Sequence, residues 1–209
     1  MLKRLDKSLF NKDEKKIFAG LNSPTKIQAF LNALKFNFDN GGDTMYSPRE
    51  VIRMGRAHCM EGAMFAGVAL WWHGEPPLLL DLRTDVGDED HVVALFKKDG
   101  CFGAISKTNH GVLRYREPVY ETLRELVMSY FHEYFLPDGS KTLREYGKPF
   151  DLSGIRDQSW IISSENLWHI EKQLDNKIGY GLLTAKQING LRKADKIERT
   201  MSDSTEYDE

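Results

Sequence analysis

The stretch from Cys59 to about His73 constrains the fold more than any other part of this chain. It is apolar, and small residues recur along it at Gly62, Ala63, Ala66, Gly67 and Ala69. A glycine in a helix interior costs about 1 kcal/mol relative to alanine. Two glycines in one helix therefore imply that another element packs very close to its backbone. A helix buried against a sheet meets that description. Gly74 supplies the C-terminal stop.

The strands expected to meet this helix come next. Leu78 to Leu82 is a short apolar run after Pro76-Pro77, and His91 to Phe96 is apolar and partly β-branched. Lys97-Lys98-Asp99-Gly100 reads as a turn, because Asp-Gly is a strong hairpin signal. Cys101 to Ser106 returns, and Gly111 to Tyr115 adds a further expected strand.

Helices flank this core on both sides. The first 20 residues suggest a loose helix. Ser23-Pro24 opens a second, with Ile27, Phe30, Leu31 and Leu34 at helical spacing. Asn40-Gly41-Gly42-Asp43 breaks the chain, and Ser47-Pro48-Arg49-Glu50 has the form of a capping box for a short helix ending near Gly55. Further helices are expected over Glu121–Phe135, Glu165–Leu174 and Thr184–Glu198. Trp71, Trp72, Trp160 and Trp168 read as core. Residues 200–209 are polar and acidic and read as a disordered tail. The expected organisation is one α+β domain over residues 1–199, with its core at about 45–120.

The chain has 209 residues, enough for one domain with a real core. Its 29 Lys and Arg against 31 Asp and Glu give a net charge of -2, which leaves no basic footprint for nucleic acid. The longest apolar stretch, Ala63 to Trp72, falls far short of the roughly 20 residues that cross a bilayer. The basic start is not followed by the continuous apolar region of a secretory signal, so a cytoplasmic location is expected. In that reducing setting the two cysteines, Cys59 and Cys101, are expected as free thiols.

Cys59 at a helix start carries the chemistry. Unpaired amides and the helix dipole favour an anion there, which lowers the thiol pKa and could stabilise an oxyanion. His91 heads an otherwise apolar strand directly after Asp88-Glu89-Asp90, a poor place for a packing residue and a good one for a base. Two hairpin registers are open, with His91 opposite Ser106 or opposite Thr108. In both, Ser106 and Thr108 share the face of His91 because side chains alternate along a strand. Asn109 joins them only through a bulge or a strand end. His58, Cys59, His91, Cys101 and His110 lack the paired spacing of zinc ligands, so neither a metal nor a cofactor is expected. Glu61 reads as a carboxylate favourable to the helix N-terminus. Arg114 and Arg116 read as ion-pair partners on a sheet face, and His110, His132 and His169 as surface residues.

Between about Gly55 and Thr108 the arrangement resembles the transglutaminase-like superfamily. The resemblance rests on Arg56-Ala57-His58-Cys59-Met60-Glu61-Gly62-Ala63, on Asp90-His91-Val92-Val93-Ala94-Leu95-Phe96 and on Gly100-Cys101-Phe102-Gly103-Ala104-Ile105-Ser106. The flanks, including Arg114-Tyr115-Arg116-Glu117-Pro118, resemble a bacterial branch of it. The resemblance implies a papain-like core, a nucleophile helix packed on an antiparallel sheet with Cys, His and Asp in that order. Cys59 and His91 match, and Ser106 stands at the aspartate position. The implied function is cysteine-dependent acyl transfer on a peptide, a protein or a small amide or ester, with Cys59, His91 and Ser106 as the catalytic residues. A binding or scaffolding module that keeps this fold without the chemistry is the alternative.

Overall fold

The computed structural model describes residues 3–38 and 42–208, so Asn40 and Gly41 of the expected chain break lie outside the described residues. The fold is α+β. The N-terminal third is helical: α1 (Lys12–Gly20) and α2 (Pro24–Ala33), a two-residue strand β1 (Lys35–Phe36), α3 (Pro48–Met54), the short β2 (Arg56–Ala57) parallel to β1, and then α4 (Cys59–Trp72). The loose helix expected at the start is a firm one. Asn11 Oδ1 accepts the Asp13 and Glu14 amides at 2.9 Å, and Glu14 Oε2 accepts the Asn11 amide at 2.8 Å. At α3 only half of the expected capping box forms. Ser47 Oγ accepts the Glu50 amide at 3.2 Å, while the Glu50 carboxylate turns to Arg53.

The sheet follows: β3 (Leu78–Thr84), β4 (His91–Lys98), β5 (Cys101–Ile105) and β6 (Arg116–Tyr120), then α5 (Leu123–Met128), β7 (Leu143–Gly147) and β8 (Phe150–Asp151). The chain closes with α6 (Trp168–Asp175), β9 (Gly179–Gly181), α7 (Ala185–Asn189) and α8 (Lys196–Ser202). The large sheet has seven strands in the order β6-β5-β4-β3-β7-β9, with β8 also pairing to β3, and every pairing is antiparallel.

Strand alternation sorts the sheet's side chains into two cores. Leu79, Val92, Ala94, Phe96 and Ile105 share a core with α4, while Leu80, Leu82, Val93, Leu95 and Ala104 share one with Leu126, Val127 and Tyr130 on the opposite side. Every residue of α4 from Met60 to Trp71 is buried, so this helix is enclosed all round. Its glycines explain how. A Cβ on Gly62 would lie 2.5 Å from Lys107 Cβ, and one on Gly67 would lie 3.1 Å from Leu152 Cδ1 and 3.5 Å from Leu79 Cδ2.

Several sequence expectations are corrected. Gly111–Tyr115 is not a strand; Leu113 takes φ of 59° and the chain re-enters the sheet at Arg116. The helix expected over Glu121–Phe135 ends at Met128, where Ser129 Oγ bonds back to the Leu126 carbonyl at 2.6 Å and a single tight turn, Phe131–Glu133, follows. The helix expected over Thr184–Glu198 splits into α7 and α8, each with its own capping box, from Thr184 with Gln187 and from Asp195 with Glu198. Trp168 is exposed, whereas Trp71 and Trp160 are core. Residues 200–208 are not a loose tail. Thr205 bridges His110, the Gly111 amide donates to Ser204 O at 2.8 Å, and the Glu206 amide donates to Asn109 O at 2.8 Å. The chain leaves the sheet after Ile105, and its unpaired backbone there is completed by the C-terminal segment. Among the described residues no helix is long and apolar enough to cross a membrane.

Candidate active site

Cys59 is the first residue of α4, and His58 is the residue that caps it. The helix starts here because Glu61, in its first turn, reaches back to accept the His58 amide at 2.9 Å. Glu61 is completely buried. Its Oε1 also accepts the Thr44 hydroxyl and the Tyr46 amide, each at 2.8 Å, and its Oε2 accepts Asn37 Nδ2 at 3.1 Å. A buried carboxylate is tolerable when its lone pairs are met in this way. His58 Nε2 lies 3.0 Å from Thr44 O and 3.4 Å from Glu61 Oε1. That nitrogen therefore carries a proton, and Nδ1 is left for the neighbouring thiol.

The Cys59 thiol feels two imidazoles, those of His58 and His91. Burial pushes the thiol up, but the bonds and charges of the two histidines outweigh it and hold the thiol well below its ordinary range. For His58 the balance has the same shape. Burial disfavours its charge, yet the Cys59 thiolate and Glu61 raise its pKa to about 9. The site thus favours a thiolate beside an imidazolium at neutral pH.

His91 is the first residue of β4, opposite Leu82 on β3. Alternation places it on the face of Val93 and Leu95, away from α4. It still reaches Cys59 because it stands at the strand end, where no further residue of β4 blocks its ring. His91 Nε2 is 2.8 Å from Ser106 Oγ. The hairpin register is Lys98 opposite Cys101, which extrapolates to His91 opposite Thr108. Ser106 nevertheless holds the ring as a diagonal neighbour on the same face. β5 ends at Ile105, and the Gln28 side chain takes the next backbone pair. Gln28 Oε1 accepts the Ser106 amide at 2.9 Å, and its Nε2 donates to Ser106 O at 2.7 Å. Thr108 turns to the His110 amide at 3.1 Å, and Asn109 Oδ1 accepts the Tyr207 amide at 2.9 Å. Of the three third-group candidates, Ser106 contacts His91.

Cys59 and His91 open onto a cavity of about 670 Å³. Asp88, Glu89 and Asp90 line it from the β3–β4 loop, Tyr134 from beyond α5, and Lys196, Arg199 and Thr200 from α8. The C-terminal helix is therefore one wall of the site. Arg114 pairs with Glu206 at 3.2 Å and Arg116 with Glu133 at 2.6 Å, so both arginines are used in ion pairs. Cys101 lies at the far end of the hairpin. His110, His132 and His169 are exposed. Among the described residues no group of three or more His, Cys, Asp or Glu side chains is arranged to hold a metal.

Sequence reasoning favoured helix polarity over catalysis for Glu61 and weighed His58 only as a metal ligand, which it set aside. Their signal was present: His58 and Glu61 stand three apart at a helix start, which is capping-box spacing. Gln28 and Tyr134 carried no local signal, since each joins the site only through tertiary contact. No family model matches this chain, and no curated protein matches it.

Proposed function

We propose that this chain is a cysteine-dependent acyl-transfer enzyme built on a papain-like core of the transglutaminase-like type. The observation that carries the reading is Cys59 at the N-terminus of a buried helix, facing one cavity together with His91, whose Nε2 lies 2.8 Å from Ser106 Oγ. The chain order of helix with Cys59, strand headed by His91 and third residue one position past the end of the next strand supports the same reading.

In this reading Cys59 Sγ attacks the carbonyl carbon of an amide or ester. The carbonyl electron pair moves to oxygen, and the first-turn amides of α4 face that charge. The intermediate collapses to a thioester, and His91 hands its proton to the departing amine or alcohol. Water or an amine, deprotonated by His91, then releases the acyl group. His91 is suited to this through Nδ1, because Ser106 fixes Nε2. Ser106 donates its own proton to Leu113 O at 2.6 Å, so it must accept from His91 Nε2–H. Peptides, proteins or small amides and esters are the substrates that fit.

The alternative, a binding module, draws on one observation: the group on His91 is a hydroxyl, with no charge to stabilise an imidazolium. The Glu61 carboxylate supplies charge from the other side, through His58. Treatment with iodoacetamide and with p-nitrophenyl acetate separates the two. In a Cys101→Ser background, which removes the second free thiol, an enzyme reacts with both at Cys59, and Cys59→Ser abolishes both. A thiol inert to iodoacetamide at pH 7, or a nitrophenolate release that persists in Cys59→Ser, overturns the proposal.

A further inference from the structure

Two tyrosines are buried in the segment after α5, and their hydroxyls differ in what they meet. Tyr130 OH donates to Arg114 O at 3.1 Å. Tyr134, only 3% exposed, has a buried hydroxyl with no hydrogen-bond partner among the described residues. Burying a hydroxyl without a partner is unfavourable, and folded proteins rarely leave one so. Tyr134 lines the same cavity as Cys59 and His91. Its backbone is fixed from behind, where Tyr134 O accepts the Thr142 amide at 3.2 Å. Replacement by phenylalanine would keep the packing and remove the orphan, so packing does not explain the oxygen.

We propose that the Tyr134 hydroxyl is a catalytic oxyanion donor, held unpaired in the resting site so that it can bond the substrate oxygen as Cys59 attacks. This rests on the acyl-transfer reading above. When the sulfur–carbon bond forms, the carbonyl π pair becomes a lone pair on oxygen, and Tyr134 O–H donates to it without giving up its proton. When the oxyanion collapses, that pair re-forms the carbonyl and the leaving group departs with the bonding pair. Burial, together with the negative charge of Cys59, Asp88 and Asp90, holds the Tyr134 proton well beyond its ordinary range, so the group stays a donor throughout. A donor already in place needs no reorganisation during the reaction.

The test compares two reactions at Cys59 with and without Tyr134→Phe, both in a Cys101→Ser background that leaves one free sulfur. Acylation by p-nitrophenyl acetate passes through an oxyanion, whereas alkylation by iodoacetamide does not. The expected result is an acylation burst slowed by roughly 10²-fold with the alkylation rate unchanged. The melting midpoint should rise, because an unpaired hydroxyl has been removed. Equal acylation in the two proteins overturns the assignment of Tyr134 alone. A parallel fall in both reactions also overturns it, since Tyr134 would then act on the thiolate. A Cys101→Ser protein that is alkylated but never acylated removes the acyl-transfer reading itself, and the assignment with it.

Discussion

His91 Nε2 and Ser106 Oγ lie 2.8 Å apart, and Ser106 Oγ–H donates to Leu113 O at 2.6 Å. The serine is thus a fixed acceptor, which places the His91 proton on Nε2 and leaves Nδ1 as the basic nitrogen. Ser106→Ala leaves His91 Nε2–H and one acceptor of Leu113 without a partner. Stability is expected to fall by about 1–3 kcal/mol. Turnover of p-nitrophenyl acetate is expected to fall about 10-fold, a part of the 10²–10⁴ that a positioned base provides. Chemical denaturation and steady-state kinetics read the two effects, and unchanged kinetics would show that the ring needs no orientation from Ser106.

The thiol–imidazole pair gives a pH profile. An ordinary thiol gains reactivity steadily up to its pKa of about 8.5. Cys59 is held well below that range by its two histidines, so its alkylation should already be on a plateau at pH 7. His58→Gln removes one of the two partners and should move the rising limb to higher pH. A Cys101→Ser background keeps the second thiol out of the measurement. For His58 the folded pKa of about 9 lies above the ordinary 6.5. Its contribution to stability is therefore complete below pH 6.5 and is lost as pH rises through about 9. A midpoint of unfolding that climbs between pH 7 and 9 in wild type but not in His58→Gln would contradict this sign.

Glu61 ties the helix start to the preceding loop. Glu61→Ala strips a partner from the Thr44 hydroxyl, the Tyr46 and His58 amides and Asn37 Nδ2. Removing a buried charged partner of this kind costs about 3–5 kcal/mol. For a chain of this size each kcal/mol moves the melting midpoint by about 2–4 °C. A drop of about 10 °C is expected, and one under 2 °C would show that the network is not a determinant of stability.

Close packing on α4 predicts opposite outcomes for two glycines. Gly62→Ala drives a methyl to 2.5 Å from Lys107 Cβ and should destabilise by about 1–3 kcal/mol. Gly20, at the end of α1, has nothing among the described residues within 4 Å of its would-be Cβ. Gly20→Ala should be neutral or stabilising by up to about 1 kcal/mol. Ala66→Leu should resemble Gly62→Ala, since Ala66 is fully buried. Thermal melts of the three variants check the ranking.

The C-terminal wall of the cavity is testable by truncation. Lys196, Arg199, Thr200, Ser202 and Asp203 all line it. Deleting residues 196–209 should speed labelling of Cys59 by a bulky maleimide more than labelling by iodoacetamide. Equal acceleration of the two reagents would show that the segment does not limit access by size.

Local sequence determined the elements that carry the chemistry. The small residues of α4 specify a buried helix, because only glycine and alanine let Lys107 and Leu152 approach so closely. Asp99-Gly100 specifies the hairpin, with Asp99 at φ of 52° and Gly100 at φ of 86°. Cys59 at a helix start and His91 at a strand head were legible from the same patterns. Tertiary structure decided the rest. The hairpin register alone favours Thr108 opposite His91, and Ser106 takes the place because Gln28, 78 residues earlier, captures the backbone where β5 ends. The order of residues 204–207 depends on Asn109 and Gly111, almost a hundred positions away in sequence. Tyr134 and the pairing of Glu61 with Thr44 and Tyr46 are likewise contacts between separate elements. Periodicity and turn chemistry act over a few residues, whereas these contacts exist only once helices and sheet have packed. That is why Cys59, His91 and the candidates Ser106 and Thr108 could be read from the chain, while the choice of Ser106 and the contacts of Gln28, Glu61 and Tyr134 could not.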